Sequence, residues 1–467
     1  MSLGCCRFDL LCIIYPHSYM TIANKKEALL LFIGDVFFFI LALWLTLALR
    51  YSELPSTILL REHFLPFSIL FVLWFLVFFI AGLYEKHTLI LKGKIPTIIF
   101  NSQIVNSVIA VLFFYLIPFF GIAPKTNLFI YIILSFLFLL SWRIYGSFFL
   151  SVRDKQKAIL IGSGEEMREL KEEVNNNSRY DLFFISSVDL EKIDSLDFQE
   201  EILKRVYSEQ IQVIAVDLRN NKVEPILPNL YNLIFSKVRF IDMYKIYEDI
   251  FDRVPLSLVK YNWFLENISI STNRTNNFLK RVMDIVISTI VGSISLVFYP
   301  FVIVAIKLDD GGPVFFSRER VGQNNQIFKT IKFRSFEVHD GDDGVASGAK
   351  VTRVGNFLRK TRIDELPQLW NVFRGELSLI GPRPEIPKYV KLYEKEIPYY
   401  NIRHLVKPGL SGWAQLYHKT PPKWAVGFDE TKMKLSYDLY YLKNRSFLLD
   451  LKIALKTVKA LLSRSGV

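Results

Sequence analysis

The densest concentration of chemically capable side chains in this sequence runs from Val351 to Glu385. At its centre two carboxylates are adjacent, Asp364 and Glu365, and Pro367 follows closely. Proline is tolerated in the first turn of a helix but not in its interior, so the spacing predicts a helix that begins near Asp364. Gly375 suits the left-handed cap that would end it. Both carboxylates would then lie at the positive end of the helix dipole, which favours their ionised forms and attracts phosphate or a metal-phosphate complex. An ionised aspartate is a competent nucleophile towards phosphorus, and a neighbouring glutamate can hold Mg²⁺ through hard oxygen ligands.

A diphosphate repels an anionic nucleophile, so cations must stand close by. Arg353, Arg359, Lys360, Arg362 and Arg383 are all near in sequence, and arginine binds phosphate oxygens bidentately. Pro382 and Pro384 restrict the backbone on both sides of Arg383 and would hold its guanidinium in one place. Residue types alone name no reaction, because an Asp at a helix start is equally an N-cap.

The elements that must position this stretch are of three kinds. The chain has 467 residues, more than one ordinary domain, and is 51% hydrophobic and 15% aromatic. Its 40 phenylalanines gather in runs such as Phe37-Phe38-Phe39, as lipid-facing helices require. The formal charge of +12 fits an acidic membrane surface and a phosphate-rich substrate. Nucleic acid is disfavoured as a partner because the basic residues flank apolar segments instead of forming one polar stripe. Cys5, Cys6 and Cys12 are the only cysteines, which excludes disulfides, thiolate zinc sites and cysteine nucleophiles from everything after them. The polar run from Thr21 to Glu27 leads directly into an apolar segment, and Met20 is the expected start of translation, leaving residues 1–27 as a separate N-terminal segment.

Four apolar stretches near 28–49, 64–84, 96–120 and 127–142 each have about the ~20 residues needed to span a ~30 Å hydrocarbon core, and they make residues 28–149 a four-helix transmembrane region. Lys25 and Lys26, then Lys86, Lys92 and Lys94, then Arg143, Arg153, Lys155 and Lys157 flank one side, against Arg50, Arg61 and Lys125 on the other. The positive-inside rule places both ends of the bundle in the cytoplasm. Asp35 lies inside the first helix, and the reading adopted is a carboxylate that faces the bundle and pairs with a neighbouring helix.

From 155 to 255 short apolar runs alternate with charged helical ones. Strands are expected at Lys157 to Gly162, Asp181 to Val188, Val213 to Val216 and Val238 to Ile241, with helices at Glu165 to Val174 and Gln199 to Glu209. This is the βαβ rhythm of a parallel sheet, a degenerate Rossmann-like cytoplasmic domain. Gly162-Ser163-Gly164 opens a glycine turn, but Met167 stands where a dinucleotide fingerprint has its third glycine.

A fifth apolar segment, 282–306, has Lys280 and Arg281 before it, Lys307 after it and Pro300 within it. Basic flanks at both ends put both on one side of the membrane, and the proline breaks the helix, so a re-entrant helix that enters one leaflet and returns is expected.

The segment from Phe278 to the C-terminus resembles the bacterial sugar transferases, the monotopic phosphoglycosyl transferases. The resemblance is carried by Lys280-Arg281-Val282-Met283-Asp284, Gly312-Pro313-Val314-Phe315-Phe316, Lys332-Phe333-Arg334-Ser335, Asp364-Glu365-Leu366-Pro367-Gln368 and Asn371-Val372. It continues through Ser378-Leu379-Ile380-Gly381-Pro382-Arg383-Pro384, Lys407-Pro408-Gly409-Leu410-Ser411-Gly412-Trp413-Ala414-Gln415 and Asp450-Leu451-Lys452-Ile453. The four-helix region and the Rossmann-like domain further resemble the long subgroup that primes exopolysaccharide, capsule or O-antigen synthesis.

The resemblance implies a catalytic domain over 278–467 and a two-step reaction. Asp364 would attack the sugar-bearing phosphorus of a UDP-sugar, by analogy UDP-glucose or UDP-galactose, and release UMP. Undecaprenyl phosphate would then take the phosphosugar from the enzyme. Mg²⁺ would be held by Asp364 and Glu365, with Arg359, Arg383, Lys332 and Arg334 binding substrate and Pro300 breaking the membrane helix. The location implied is the bacterial inner membrane, with the catalytic domain on the cytoplasmic face and homo-oligomerisation left open. Two departures stand out. Tyr299 replaces the serine common before the break, and Leu416-Tyr417-His418-Lys419 replaces a Gly-Arg pair, with Lys419 the candidate substitute cation.

His339 in the acidic, glycine-rich stretch Glu337 to Gly348 reads as a solvated-loop residue, and His404 and His418 as surface histidines. The C-terminal helix around Leu448 to Leu455 reads either as a membrane-surface helix or as an ordinary packed one. A membrane-bound nucleotide-sugar dehydratase is the alternative enzyme, but it needs an intact dinucleotide turn and a tyrosine-lysine pair. A catalytically dead assembly scaffold is the non-enzymatic alternative.

Overall fold

A computed structural model of the chain describes residues 25–84, 95–117, 125–150, 155–177, 180–195, 202–268, 274–337, 350–418 and 427–462. Met20, the three cysteines, His339 and Lys419 lie outside them. The chain divides into two compact units, Met1–Leu41 with Leu137–Ile250, and Ala42–Phe136 with Phe251–Val467.

Four helices come first: α1 (Lys25–Tyr51), α2 (Thr57–Ala81), α3 (Ile95–Leu116) and α4 (Lys125–Leu150). Each contains a stretch long and apolar enough to cross a membrane. The second begins earlier than the expected 64 because Ser56 caps it, its Oγ accepting from Leu59 N at 3.3 Å. The third ends at Leu116, and 118–120 of the expected stretch lie outside the described residues.

In the first unit Asp35 is fully buried and pairs with Arg143 of α4, whose Nε donates to Oδ1 at 3.2 Å. Asp35 therefore has the neighbouring-helix partner expected of it. Arg143 is corrected: it is a buried residue inside the helix rather than a basic flank, because an ionised carboxylate in an apolar bundle requires a paired cation.

The same unit carries β1 (Gln156–Gly162), α5 (Gly164–Asn176), β2 (Leu182–Asp189), α6 (Lys204–Ser208), β3 (Val213–Val216), α7 (Leu227–Asn232), β4 (Arg239–Asp242) and α8 (Met243–Phe251). The four strands pair in parallel in the order β2-β1-β3-β4. Strand β3 is buried at every residue, as its unbroken apolar run requires of a strand covered on both faces. Helix α6 is shorter than the predicted 199–209, of which 199–201 lie outside the described residues.

In the second unit polar side chains pair among the apolar helices: Asn127 Nδ2 lies 3.3 Å from His63 Nε2, and Gln103 Nε2 donates to Ser135 Oγ at 3.0 Å. After α9 (Tyr261–Asn267) come α10 (Arg274–Leu296) and α11 (Tyr299–Asp310), bent by 57° at a short break. Pro300 falls in the first turn of α11, where its missing N–H costs no helical hydrogen bond. The single apolar stretch 282–306 is thus two helices. Both are anchored on the same folded domain. Lys280 donates to Ile380 O at 2.7 Å and pairs with Asp450 at 3.1 Å, while Val302 and Ile306 pack with Phe333 and Leu358.

That domain contains the antiparallel hairpin β5 (Phe315–Val321) and β6 (Ile327–Phe333), then α12 (Arg353–Thr361) and α13 (Leu369–Arg374). The parallel pair β7 (Ser378–Ile380) and β8 (Gly409–Ser411) encloses α14 (Pro387–Glu396) in sequence. α15 (Trp413–Tyr417), α16 (Phe428–Lys443) and α17 (Phe447–Leu462) complete it. Helix α17 packs one face on this domain, with Asp450 and Ile453 buried and Asp450 taking Lys280 and the Tyr441 hydroxyl at 2.7 Å, while Leu448, Val458 and Leu461 are exposed.

Candidate active site

Helix α12 is started by Thr352, whose hydroxyl accepts from Gly355 N at 2.9 Å, and is ended by Arg362 in the left-handed region at φ 58°. From there the chain makes a 3₁₀ segment, Ile363–Gln368, that runs into α13. The predicted helix from Asp364 to Gly375 is therefore present, but its first half is wound more tightly. Pro367 has no N–H to close an α-turn onto Ile363, so the α register begins only after it. Gly375 ends the run at φ 87°, a conformation that side chains resist.

This winding turns Asp364 inward. It is 6% exposed, and its Oδ1 is buried with no hydrogen-bond partner among the described residues. Burial, and then the charge of Glu365, push its pKa to about 6, against the pull of Lys332, Arg362 and Arg359. Glu365 behaves oppositely. Burial would raise its pKa, but Arg383 at 3.3 Å and Arg362 at 3.6 Å share its Oε1 and hold it below the usual carboxylate range. One carboxylate is neutralised by arginines while its neighbour is left open, as a division between a nucleophile and a charge-holding group would require.

A pocket opens beside Glu365, lined among others by Arg318, Arg320, Lys332, Gln368 and Arg383. The hairpin register opposes Phe316 to Lys332 and Arg318 to Thr330. Side chains alternate along strands, so Arg318, Arg320, Thr330 and Lys332 project from one face. Burial pushes Arg320 down to about 10 and Lys332 below its usual value, with nearby acids (Glu385 for Arg320, Asp364 for Lys332) opposing the shift. Closely held cations with few anions make a phosphate receptor.

The loop that carries Arg383 is fixed from behind. Arg320 Nη1 donates to Pro384 O at 3.2 Å, and Arg403 Nη2 donates to Arg383 O at 2.9 Å. Arg403 is buried, with Asp438 at 2.8 Å and the Tyr400 hydroxyl at 2.8 Å. Glu385 pairs with Lys434. Burial alone would raise the Glu385 carboxyl, and Lys434 and Arg403 instead bring it to about 2.

The expected site residues are not all brought together. Asp364, Glu365, Lys332 and Arg383 converge. Arg359 is exposed on α12, its guanidinium carbon 5.0 Å from the centre of the Phe336 ring, near enough to act on Asp364 through charge. Arg334 does not line the pocket. Its guanidinium is held by Asp310 and donates to Pro313 O at 2.6 Å and Phe336 O at 2.8 Å. His404 is corrected from surface to core. It is buried with neither ring nitrogen partnered among the described residues, and burial with the adjacent Arg403 charge brings it to about 3. His418 is half-buried. The expectations missed Arg318, Arg320, Arg403 and Asp438. The alternation Phe316, Arg318, Arg320 was a readable signal for the first two.

Among the described residues no three His, Cys, Asp or Glu side chains group as a metal site. The unpartnered Asp364 Oδ1 is a hard oxygen donor of the kind Mg²⁺ takes beside substrate phosphate and water, whereas Glu365 Oε1 is shared by Arg362 and Arg383.

Four membrane-length helices followed by a mixed helix and sheet domain, with a basic pocket against an acidic pair, define a membrane protein with a charged site in its C-terminal part. Comparison with known proteins makes the class specific. Residues 275–464 match the family of bacterial sugar transferases. The "UDP-N-acetylgalactosamine-undecaprenyl-phosphate N-acetylgalactosaminephosphotransferase" of Aeromonas hydrophila is 45% identical over 196 residues, 40% of this chain and 45% of that protein. The "UDP-glucose:undecaprenyl-phosphate glucose-1-phosphate transferase" of Escherichia coli K12 is 37% identical over 190 residues, 39% of this chain and 40% of the other. The "uncharacterized sugar transferase EpsL" of Bacillus subtilis is 38% identical over 192 residues, 40% of this chain and 90% of its own length. The chain belongs to the bacterial sugar transferase family. It spans less than half the length of the Aeromonas and Escherichia relatives.

Proposed function

We propose that this protein transfers a sugar-1-phosphate from a UDP-sugar to undecaprenyl phosphate in the inner membrane, as the first step of an exopolysaccharide, capsule or O-antigen. The observation that carries the reading is Asp364 Oδ1, buried and unpartnered beside a pocket of arginines and lysine.

In the first step an Asp364 carboxylate oxygen bonds to the sugar-bearing phosphorus, and the bond from that phosphorus to the bridging oxygen breaks. UMP leaves with the electron pair. In the second step a phosphate oxygen of undecaprenyl phosphate attacks the same phosphorus and Asp364 leaves as carboxylate, so no proton is gained or lost by the aspartate over the cycle. Arg383, Arg320 and Lys332 hold the diphosphate and stabilise charge developing on the leaving UMP. Asp364 and Glu365 would hold Mg²⁺, which when bound neutralises phosphate charge.

The α10–α11 pair is assigned as a re-entrant membrane helix. Both of its ends pack on one folded domain, which a crossing helix could not allow, and Ile290, Ile294, Val297, Phe298, Phe301 and Val304 between them are exposed. The basic flanks of the four apolar helices support a cytoplasmic catalytic domain. The parallel sheet is assigned as a degenerate Rossmann-like domain without nucleotide. A Cβ on Gly162 would stand 2.6 Å from Met243 Sδ, so the space under the glycine turn is filled by protein.

The donor is a UDP-sugar with a hexose ring. Glucose and galactose are the expectation from architecture, and the Aeromonas relative's name adds N-acetylgalactosamine to the test. UMP release is measured from UDP-glucose, UDP-galactose and UDP-N-acetylgalactosamine, with undecaprenyl phosphate and Mg²⁺, by protein in nanodiscs. UMP from one donor, absent with Asp364→Asn, supports the reading. No UMP from any donor by folded protein refutes it.

A further inference from the structure

Two cations outside the pocket face the same small space, and neither has an ion-pair partner among the described residues. Arg281 of α10 donates to Val372 O at 2.8 Å and Phe373 O at 2.7 Å, capping the carbonyl end of α13. Lys407, just before β8, reaches the same place. A Cβ on Gly375 would lie 3.3 Å from both Arg281 Nη2 and Lys407 Nζ, so the two nitrogens are within twice that distance of each other. Gly375 has no side chain to fill the space between them.

The neighbouring acids are already engaged. Asp284 accepts from Ser378 Oγ at 3.1 Å and Leu379 N at 2.9 Å, and Asp450 pairs with Lys280. Lys407 Nζ has no hydrogen-bond or ion-pair partner among the described residues. Burial, and then Arg281, lower its pKa below the usual ammonium value, and the charge of Asp284, which makes no ion pair with it, opposes the shift only in part.

The position of this pair indicates what completes it. Immediately after Arg281, α10 presents exposed Val282, Ile285 and Val286. On α13 the exposed rings of Trp370 and Phe373 stack at 5.6 Å and 10°, with the Arg374 guanidinium 5.0 Å over Trp370. Exposed aromatics and arginines at the onset of an apolar helix mark the headgroup level of a bilayer. We propose that Arg281 and Lys407 bind the phosphodiester of an anionic phospholipid where α10 enters the membrane. This rests on the re-entrant assignment of α10–α11.

The full chain is reconstituted in nanodiscs of mixed phosphatidylglycerol and phosphatidylcholine, and retained lipid is read by native mass spectrometry, with UMP release measured on the same wild-type sample. Several-fold preferential retention of phosphatidylglycerol is expected, lost in Lys407→Gln, kept in Lys407→Arg and unchanged by millimolar inorganic phosphate. Equal retention of the two lipids, or a preference that survives Lys407→Gln, overturns the proposal. Displacement of the lipid by phosphate overturns it too, in favour of a soluble anion. UMP release without lipid preference would sink this inference alone, whereas absence of UMP release would sink the transferase reading.

Discussion

Arg403 donates from Nη2 to the main-chain carbonyl of Arg383 at 2.9 Å, so a wholly buried guanidinium fixes the loop that aims a half-exposed one at Glu365. The buried arginine does not line the pocket. It sets where the pocket arginine stands, and α16, through Asp438, holds it in turn.

Arg403→Lys keeps the charge beside Asp438 but loses the fork that reaches Arg383 O. The donor KM is expected to rise about tenfold, equivalent to ~1.4 kcal/mol of binding, with a smaller change in kcat. A purely structural role would lower the yield of folded protein and leave the KM of the folded fraction alone. Steady-state kinetics on the monodisperse fraction separates the two.

Asp364 couples activity to pH. Its raised pKa of about 6 leaves the proposed nucleophile protonated in mild acid, so single-turnover UMP release is expected to climb through pH 6 and level off above pH 7. A rate flat from pH 5 to 8, with protein intact throughout, would contradict the assignment.

The same group affects stability in the opposite sense. Its folded pKa lies above the ordinary 3.8, so the proton is held more tightly in the folded state, and the stability this confers is present below that value and lost as pH rises through about 6. Asp364→Asn is therefore expected to be inactive yet about 1–2 kcal/mol more stable than wild type at pH 7, with the difference shrinking towards pH 4. Thermal unfolding across pH checks this.

Arg320→Ala and Arg334→Ala should fail differently. Loss of Arg320 removes a pocket cation and the donor to one carbonyl, Pro384 O, and is expected to raise donor KM about tenfold or more with a stability loss of no more than ~1 kcal/mol. Loss of Arg334 leaves Asp310 and two carbonyls without their donor, costing ~1–3 kcal/mol of stability with KM nearly unchanged. Paired melting curves and kinetics distinguish the two.

In the membrane helices, Asp35→Leu alone leaves Arg143 buried and unpaired, and is expected to cost ~3–5 kcal/mol. Asp35→Leu with Arg143→Met should recover most of that loss. A double variant no better than the single one would show that the pair is held for another reason.

Much of this arrangement was legible in the sequence because it obeys local rules. The apolar runs, the βαβ alternation, the break at Pro300 and the Gly375 cap each follow from a few neighbouring residues. What was not legible depends on contacts between distant segments. Nothing near Arg143 shows that it lies against Asp35, and nothing near Arg403 shows that it reaches Arg383. Arg334 and Lys332 share a short motif, yet Asp310 claims one while the pocket takes the other. Pro367 marks an early helical turn from its type alone, but the tight 3₁₀ winding that buries Asp364 shows only in the backbone.

A covalent intermediate on Asp364 is open to direct detection by peptide mapping with mass spectrometry after enzyme is mixed with its UDP-sugar without acceptor. A sugar-phosphate adduct on the Asp364 peptide is expected, disappearing when undecaprenyl phosphate is added. Product formation with no adduct at any time before acceptor is added, and UMP released only when both substrates are present, would contradict it.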